Sequence, residues 1–530
     1  MINSIVPVLV RGDDTPEPSA TRGTIPPAPL AGGTKVMARR TRLAAVVTLA
    51  MINVFTLAAG ITVARMLPSR LAALKVPTVA PAQVSQAGPV LAAGASTGEL
   101  PTGTGLQSAL AAPLSASALG PRVSAVVTDP ATGKILWSQN PDQPSTPAST
   151  TKLVTSAAAL AVLGPDATFT TKVVGGAAQG GAAQGSVILV GGGDPTLAVH
   201  PFPAGEYPRP ATLASLARQT ARTLKSQGRR TVSLGYDDYL YTGPDLAPGW
   251  PAAYVSTGNV TPTSALEVDQ GRLTTAGEPE DDDDPYNLRA RTSDPAAMAA
   301  EAFAALLTAD GIHVTGTPTA QRAKQSAKPL ASIHSPPLSA IVQQMLQESN
   351  NVIAENLARQ VALRTGQPAS YSGAAAAVTK ELSHLGISTS GLHLVDGSGL
   401  SPQDKIAPAT LVEVLQLATS TPRIRPLLAG LPVAGFSGTL SAGQSVFAGI
   451  GGPALGAVRA KTGNLDTVTT LAGLATDRAG RTLAFAFMAD KIPAAGMLST
   501  AAKAIDDAAA ALANCGCRLR ALAAARTVGL

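Results

Sequence analysis

Aromatic side chains are scarce in this chain: Phe, Tyr and Trp make up 3% of its 530 residues, and charged residues only 14%. With few rings to fill it, an interior must be packed from Ala, Val and Leu, which carry the hydrophobic share to an ordinary 45%. Ala, Gly and Pro take up the remainder, so many loops are expected. Cysteine is nearly missing. Cys515 and Cys517 are the only two, and a pair near one end cannot supply a disulfide framework. One intervening residue leaves a strained ring, which predicts free thiols or pairing between molecules. Five His, with no H-E-x-x-H and no paired C-x-x-C, offer no metal centre. The net charge of +6 forms no basic stripe interleaved with aromatics, so nucleic-acid binding has little support. That excess suits an anionic envelope surface or is simply a solvated exterior.

The length exceeds one ordinary core, so two or more domains plus non-globular segments are expected. Residues 1–42, rich in Pro, Gly, Thr and charge, read as a disordered cytoplasmic segment. Lys35, Arg39, Arg40 and Arg42 then precede an uncharged apolar run, 43–64, long enough to span a bilayer. The basic flank favours an uncleaved transmembrane anchor with its N-terminal side inside. Translation from Met37 would instead make the run a conventional signal and the product secreted. Residues 65–120 read as a flexible Ala/Pro/Ser/Gly tether holding an extracytoplasmic body away from the membrane.

Within that body, Arg122–Asp129 and Lys134–Ser138 predict a hairpin around Pro130-Ala131-Thr132-Gly133. The run from Ser149 predicts a helix ended by Gly164-Pro165. Thr469–Thr476 and Arg481–Ala489 predict a second hairpin, followed by a helix from about Ala494 to Asn514. Strands from both ends of the chain suggest one sheet closed by distant segments. Between them, 168–330 reads as a β-rich insertion, with Glu278–Asp284 as a solvated loop tip. The first part of the main domain is then 121–167, the second 331–514, and 515–530 a tail. A helical pattern runs from Pro337 to Ala362.

Three short motifs carry the chemistry: Ser149-Thr150-Thr151-Lys152, Ser349-Asn350-Asn351 and Lys461-Thr462-Gly463. Each is weak alone; their order is the signal. Ser149 and Lys152 are three residues apart and share one helical face. A hydroxyl needs a base beside it, and burial plus the neighbouring Lys461 cation would push the Lys152 amine down toward neutrality. Ser349 is placed to relay a proton between Lys152 and a leaving amine, while Asn351 holds Lys152 and a substrate amide. The same three residues also read as a polar turn entering a helix at Val352. Lys461 and Thr462 suit a carboxylate, and Gly463 allows close approach of substrate backbone. Backbone N–H groups of Ser149 and Asn464 would form an oxyanion hole.

These motifs resemble the class C low-molecular-mass penicillin-binding proteins, the D-alanyl-D-alanine carboxypeptidase/endopeptidase family of serine peptidase type S13. The resemblance spans roughly 121–514 and includes four wider strings: Leu189–Leu197, Gly235-Tyr236-Asp237-Asp238, Ser349–Leu357 and Asp396-Gly397-Ser398-Gly399-Leu400-Ser401. It implies an α/β (α+β) fold: a transpeptidase-like domain whose antiparallel sheet has helices on both sides, interrupted by inserted domains. It implies removal of the terminal D-Ala from peptidoglycan stem peptides through acyl-Ser149, without metal or organic cofactor, and inhibition by β-lactams. Some relatives also cut cross-links. Asn350 stands where the family has Asp, and Asn464 where Thr is common. Tyr239–Asp245 should lie where relatives recognise the stem's diamino acid, with Asp245 a candidate partner. Asp396 and Ser398 shape either the pocket or only a turn. Competing readings are a β-lactamase or other amide or ester hydrolase on the same scaffold, and a catalytically silent wall-binding protein.

Overall fold

The apolar hairpins at the two ends of the body do join. The computed structural model describes residues 99–176, 185–202, 207–273, 289–441 and 454–517; the expected cytoplasmic segment 1–42, the run 43–64 and the acidic stretch Glu278–Asp284 lie outside them. One antiparallel sheet runs in the order β2 (Ile135–Gln139), β1 (Val123–Thr128), β10 (Thr482–Ala489), β9 (Val468–Thr476), β8 (Val458–Leu465). Period-2 geometry sends Ala484, Ala486 and Met488 of β10 to one side and Leu483, Phe485 and Phe487 to the other. Both sides are covered, which is why these strands read as unbroken apolar runs.

On the first side pack α2 (Thr151–Leu163), α5 (Leu338–Gln347), α6 (Asn351–Arg364), α7 (Tyr371–His384) and α8 (Pro408–Ser420). On the second pack α1 (Gly103–Leu114) and α9 (Leu498–Asn514). Helix α1 corrects the expected tether 65–120: the body begins by Thr102, whose side chain caps α1 and whose N–H donates to Cys517 O at 2.9 Å. Leu106, Leu110 and Leu114, four residues apart, are buried on α9, each worth about 1.5–3 kcal/mol. The tail is corrected with it, since Cys515 is buried there and forms a disulfide with Cys517 rather than remaining a free thiol. The extended backbone of Cys515 ends α9 and sets the two Cα atoms 5.0 Å apart, within disulfide range.

The insertion has its own five-stranded sheet, ordered β6 (His313–Ala320), β5 (Thr231–Asp237), β4 (Gly185–Val190), β3 (Thr170–Gly175), β7 (Pro329–His334). It is mixed: β4, β5 and β6 are parallel, while β3 is antiparallel to both neighbours. The parallel pairs need crossovers, supplied by α3 (Leu213–Ser226) and α4 (Pro295–Ala309). Leu213, Leu216, Ala217, Ala221 and Leu224 bury one stripe of α3 on this sheet. Its last strand ends at His334, slightly past the expected limit of 330.

Among the described residues no helix is long and apolar enough to cross a membrane. The predicted helix from Pro337 to Ala362 is two helices, α5 and α6, broken at Ser349 with φ +54°. The apolar period survives the break, so the sequence hides it. Asn350 caps α6 by accepting from Ile353 N at 3.1 Å, the local description of a polar turn entering a helix.

Candidate active site

Three segments meet where β8 passes the N-terminal end of α2. Ser149 lies not in α2 but in the single 3₁₀ turn Ala148–Thr150 that enters it. Ala148 has φ +47°, a conformation costing on the order of 1–2 kcal/mol for a residue with a side chain. The turn is held to the sheet by Thr470, whose hydroxyl donates to Pro147 O at 2.8 Å. Gly463 makes that approach possible: a Cβ there would stand 2.8 Å from Pro147 O and 3.0 Å from Ser149 N.

Lys152 is fully buried, and its Nζ lies 2.9 Å from Ser149 Oγ, 2.7 Å from Asn351 Oδ1 and 2.9 Å from the Ser398 carbonyl. The last two partners only accept. A neutral amine therefore spends both its protons on them and turns its lone pair to the Ser149 hydroxyl. Burial lowers this amine to about 7, against the opposing pull of Asp396 and Glu355. Repulsion between the two lysines opposes their being charged together. Lys461, also fully buried, is pushed well below its ordinary value by burial and then by Lys152.

Lys461 Nζ donates to Ser349 Oγ and to Thr462 O, both at 2.8 Å. Ser349 is thus held by the late lysine, whereas Asn351 is the member of its motif that touches Lys152. Asn351 Nδ2 is anchored in turn on Asn259 O at 2.8 Å, and Asn350 Nδ2 on Gln270 Oε1 at 2.8 Å, both in the insertion. Thr462 Oγ1 shares a 2.8 Å hydrogen bond with Thr439. Asn464 is exposed on β8, its side chain accepting from Thr469 Oγ1 at 2.9 Å. Ser149, Lys152, Ser349, Asn351, Lys461, Thr462, Gly463 and Asn464 all belong to this one constellation or the strand beside it. Among the described residues no group of His, Cys, Asp and Glu could hold a metal ion.

Five contributors went unassigned or half-read in the sequence. Asp396 and Ser398 do both things weighed for them: Asp396 folds a turn, and the Ser398 carbonyl in that turn holds Lys152. Glu355, already visible in the string after the second motif, accepts Gly397 N at 3.1 and 3.0 Å and is raised to about 8, chiefly by burial. Thr439 and Trp250 carried no signal, because their partners lie far away in sequence. In the Tyr239–Asp245 stretch, Tyr241 is used structurally, its hydroxyl donating to Asn356 Oδ1 at 3.0 Å. The Asp245 carbonyl accepts from Thr263 N and Tyr371 Oη at 2.7 and 3.2 Å.

The model of the D-Ala-D-Ala carboxypeptidase 3 (S13) family matches residues 106–290 and 273–513. A carboxypeptidase DacB of Mycolicibacterium smegmatis is 39% identical over 421 residues, 79% of this chain and 85% of that protein. A D-alanyl-D-alanine carboxypeptidase of Actinomadura is 31% identical over 411 residues, covering 66% and 74%. Among solved structures, penicillin binding protein 4 of Haemophilus influenzae shares the fold with a TM-score of 0.60 at 24% identity, covering 76% of this chain and 97% of that one.

Proposed function

This chain belongs to the D-Ala-D-Ala carboxypeptidase 3 (S13) family and is a serine D-Ala-D-Ala carboxypeptidase, and we propose that it trims peptidoglycan stem peptides through an acyl-Ser149 intermediate. One observation carries this reading: the Lys152 amine, bound by two fixed acceptors, has Ser149 Oγ as its third neighbour at 2.9 Å. Neutral Lys152 takes the hydroxyl proton as Ser149 Oγ attacks the carbonyl of the penultimate D-Ala. The oxyanion is held by the N–H groups of Ser149 and Asn464. Lys461 and Thr462 bind the terminal carboxylate, and that anion favours the charged form of the buried Lys461. Collapse breaks the C–N bond, and the proton reaches the departing amine through Ser349. D-Ala leaves; water then attacks the ester, and Ser149 regains its proton. A penicillin enters the same path, but its leaving amine stays tethered, so its acyl-enzyme should persist.

The test is intact-mass measurement of the soluble body with penicillin. We expect a gain of one penicillin mass in the wild type and none in Ser149→Ala. Equal gain in both, or in neither, defeats the mechanism. Comparing steady-state turnover of penicillin with that of an acyl-D-Ala-D-Ala peptide distinguishes carboxypeptidase from β-lactamase.

We further propose that the basic-flanked apolar run 43–64 anchors the enzyme in the cell membrane with its body outside the cytoplasm, where stem peptides are found. The full-length chain should sediment with membranes, resist extraction by high salt, and be released by detergent. Recovery in the soluble fraction would overturn the anchor.

A further inference from the structure

The turn that fixes Lys152 is itself built around one carboxylate. Asp396 Oδ1 accepts from Ser398 N and Gly399 N at 3.1 and 2.6 Å, and Oδ2 from Ser401 N at 2.7 Å. These bonds curl residues 396–401 so that the Ser398 carbonyl meets Lys152 Nζ and the Gly397 carbonyl accepts from Thr155 Oγ1 at 2.7 Å. Gly399, at φ +86°, lies so close to the nucleophile's turn that a Cβ would stand 1.9 Å from Ala148 O. A shift of this turn therefore moves both the base and the backbone preceding Ser149.

Asp396 has one further donor, and it comes from the other sheet's connections. Trp250 Nε1 donates to Oδ2 at 2.8 Å across 146 positions of sequence. The indole is seated edge-on against Tyr371, with ring centroids 5.5 Å apart, and 6.5 Å from Tyr254. Neither the motifs nor the acyl transfer uses it. The neighbouring Asp404, which accepts from Val395 N at 2.6 Å, is held well above its ordinary range by burial and then by the charge of Asp396.

We propose that Trp250, supplied by the insertion, is a positioning residue for the acylation step: its indole N–H holds Asp396, and Asp396 holds the turn whose Ser398 carbonyl aims the Lys152 amine at Ser149. The inserted module on this account completes the catalytic base. The inference rests on Lys152 acting as that base.

The experiment follows acylation of the full protein by a fluorescent penicillin over a concentration series, separating the saturating rate from the apparent dissociation constant. Trp250→Phe keeps an aromatic ring at this position and removes the indole donor together with part of the bicyclic ring. It is expected to lower the saturating rate about tenfold, the scale of one lost hydrogen bond to a charged group, while penicillin affinity changes less than about twofold. Asp396→Asn reads the contact from its other end, placing a donor where Trp250 and Ser401 need an acceptor. The double variant should be no slower than Asp396→Asn alone. Near-UV circular dichroism and the melting midpoint establish that each variant is folded. A wild-type rate in Trp250→Phe, a loss confined to affinity, or strict multiplicativity in the double variant would each overturn the proposal. Absence of acylation in the wild type would instead remove the acyl-serine reading itself.

Discussion

Lys152→Ala is expected to slow acylation of Ser149 by about 10³–10⁴-fold, the upper range for a positioned base. The folded amine titrates at about 7, so the base is half neutral there and increasingly neutral above it. Wild-type acylation should rise with pH through a midpoint of about 7, and this limb should vanish in the variant. Stability gives a second reading, which also rises with pH but over a different window. Unfolded, this lysine keeps its proton up to about its ordinary 10.5, so between about 7 and 10.5 the unfolded chain binds more protons than the folded one. The lysine's burial therefore costs stability at neutral pH, and that cost fades as pH rises through the window. Lys152→Ala should flatten this dependence while the protein remains folded. Stopped-flow acylation and urea titrations across pH measure both. A folded variant that acylates at the wild-type rate, or retains the limb, would remove Lys152 from its role.

The triple of motifs was legible because chemistry dictates residue type at short spacing: a hydroxyl and an amine one turn apart cannot be much varied if one is to deprotonate the other. The terminal hairpins were legible for a similarly local reason, since Pro130-Ala131-Thr132-Gly133 and Asp477-Arg478-Ala479-Gly480 punctuate apolar runs. What remained hidden is tertiary. Helix α1 has its leucines at positions 106, 110 and 114, but in an Ala/Pro/Ser/Gly composition that also describes a tether. The amphipathic pattern of α3 was present and would have identified the crossover. No periodicity reveals that Ser349 leaves the helical region of backbone space, because apolar positions resume in register after it. The sign of the charges around Lys152 was also out of reach: Glu355 and Asp396 belong to different segments, and only folding puts both beside the amine. Trp250 illustrates the same limit, its one polar atom having its partner in another domain segment.

Arg359→Ala should be the most destabilising single change at the junction of the two sheets' modules, costing about 3–5 kcal/mol. Arg359 is 1% exposed on α6, eight residues after Asn351 and four after Glu355, so one helix carries motif, carboxyl and anchor along a face. Its guanidinium donates to Thr242 O at 2.9 Å, Pro244 O at 3.1 Å and Ala369 O, and stacks 4.1 Å from the Tyr371 ring. Truncation removes a charged donor from three carbonyls, of which Ala369 O keeps Thr242 N at 3.0 Å, and opens a cavity against a ring on which Trp250 also rests. Arg359→Lys should recover little, because a point charge on a flexible stem cannot bridge the spread of these carbonyls. By contrast, Lys503→Ala at an exposed i,i+4 pair with Asp507 should change stability by no more than about 0.5 kcal/mol. Urea midpoints at neutral pH compare the three variants, and penicillin acylation of the folded fraction provides the functional readout. Since Thr242–Pro244 leads directly into the segment bearing Trp250 and Asn259, loosening it should slow acylation even where the protein stays folded. An Arg359→Ala protein with an unchanged urea midpoint would mean that apolar packing alone seats the insertion, and the polar seam would then have no hold on the cleft.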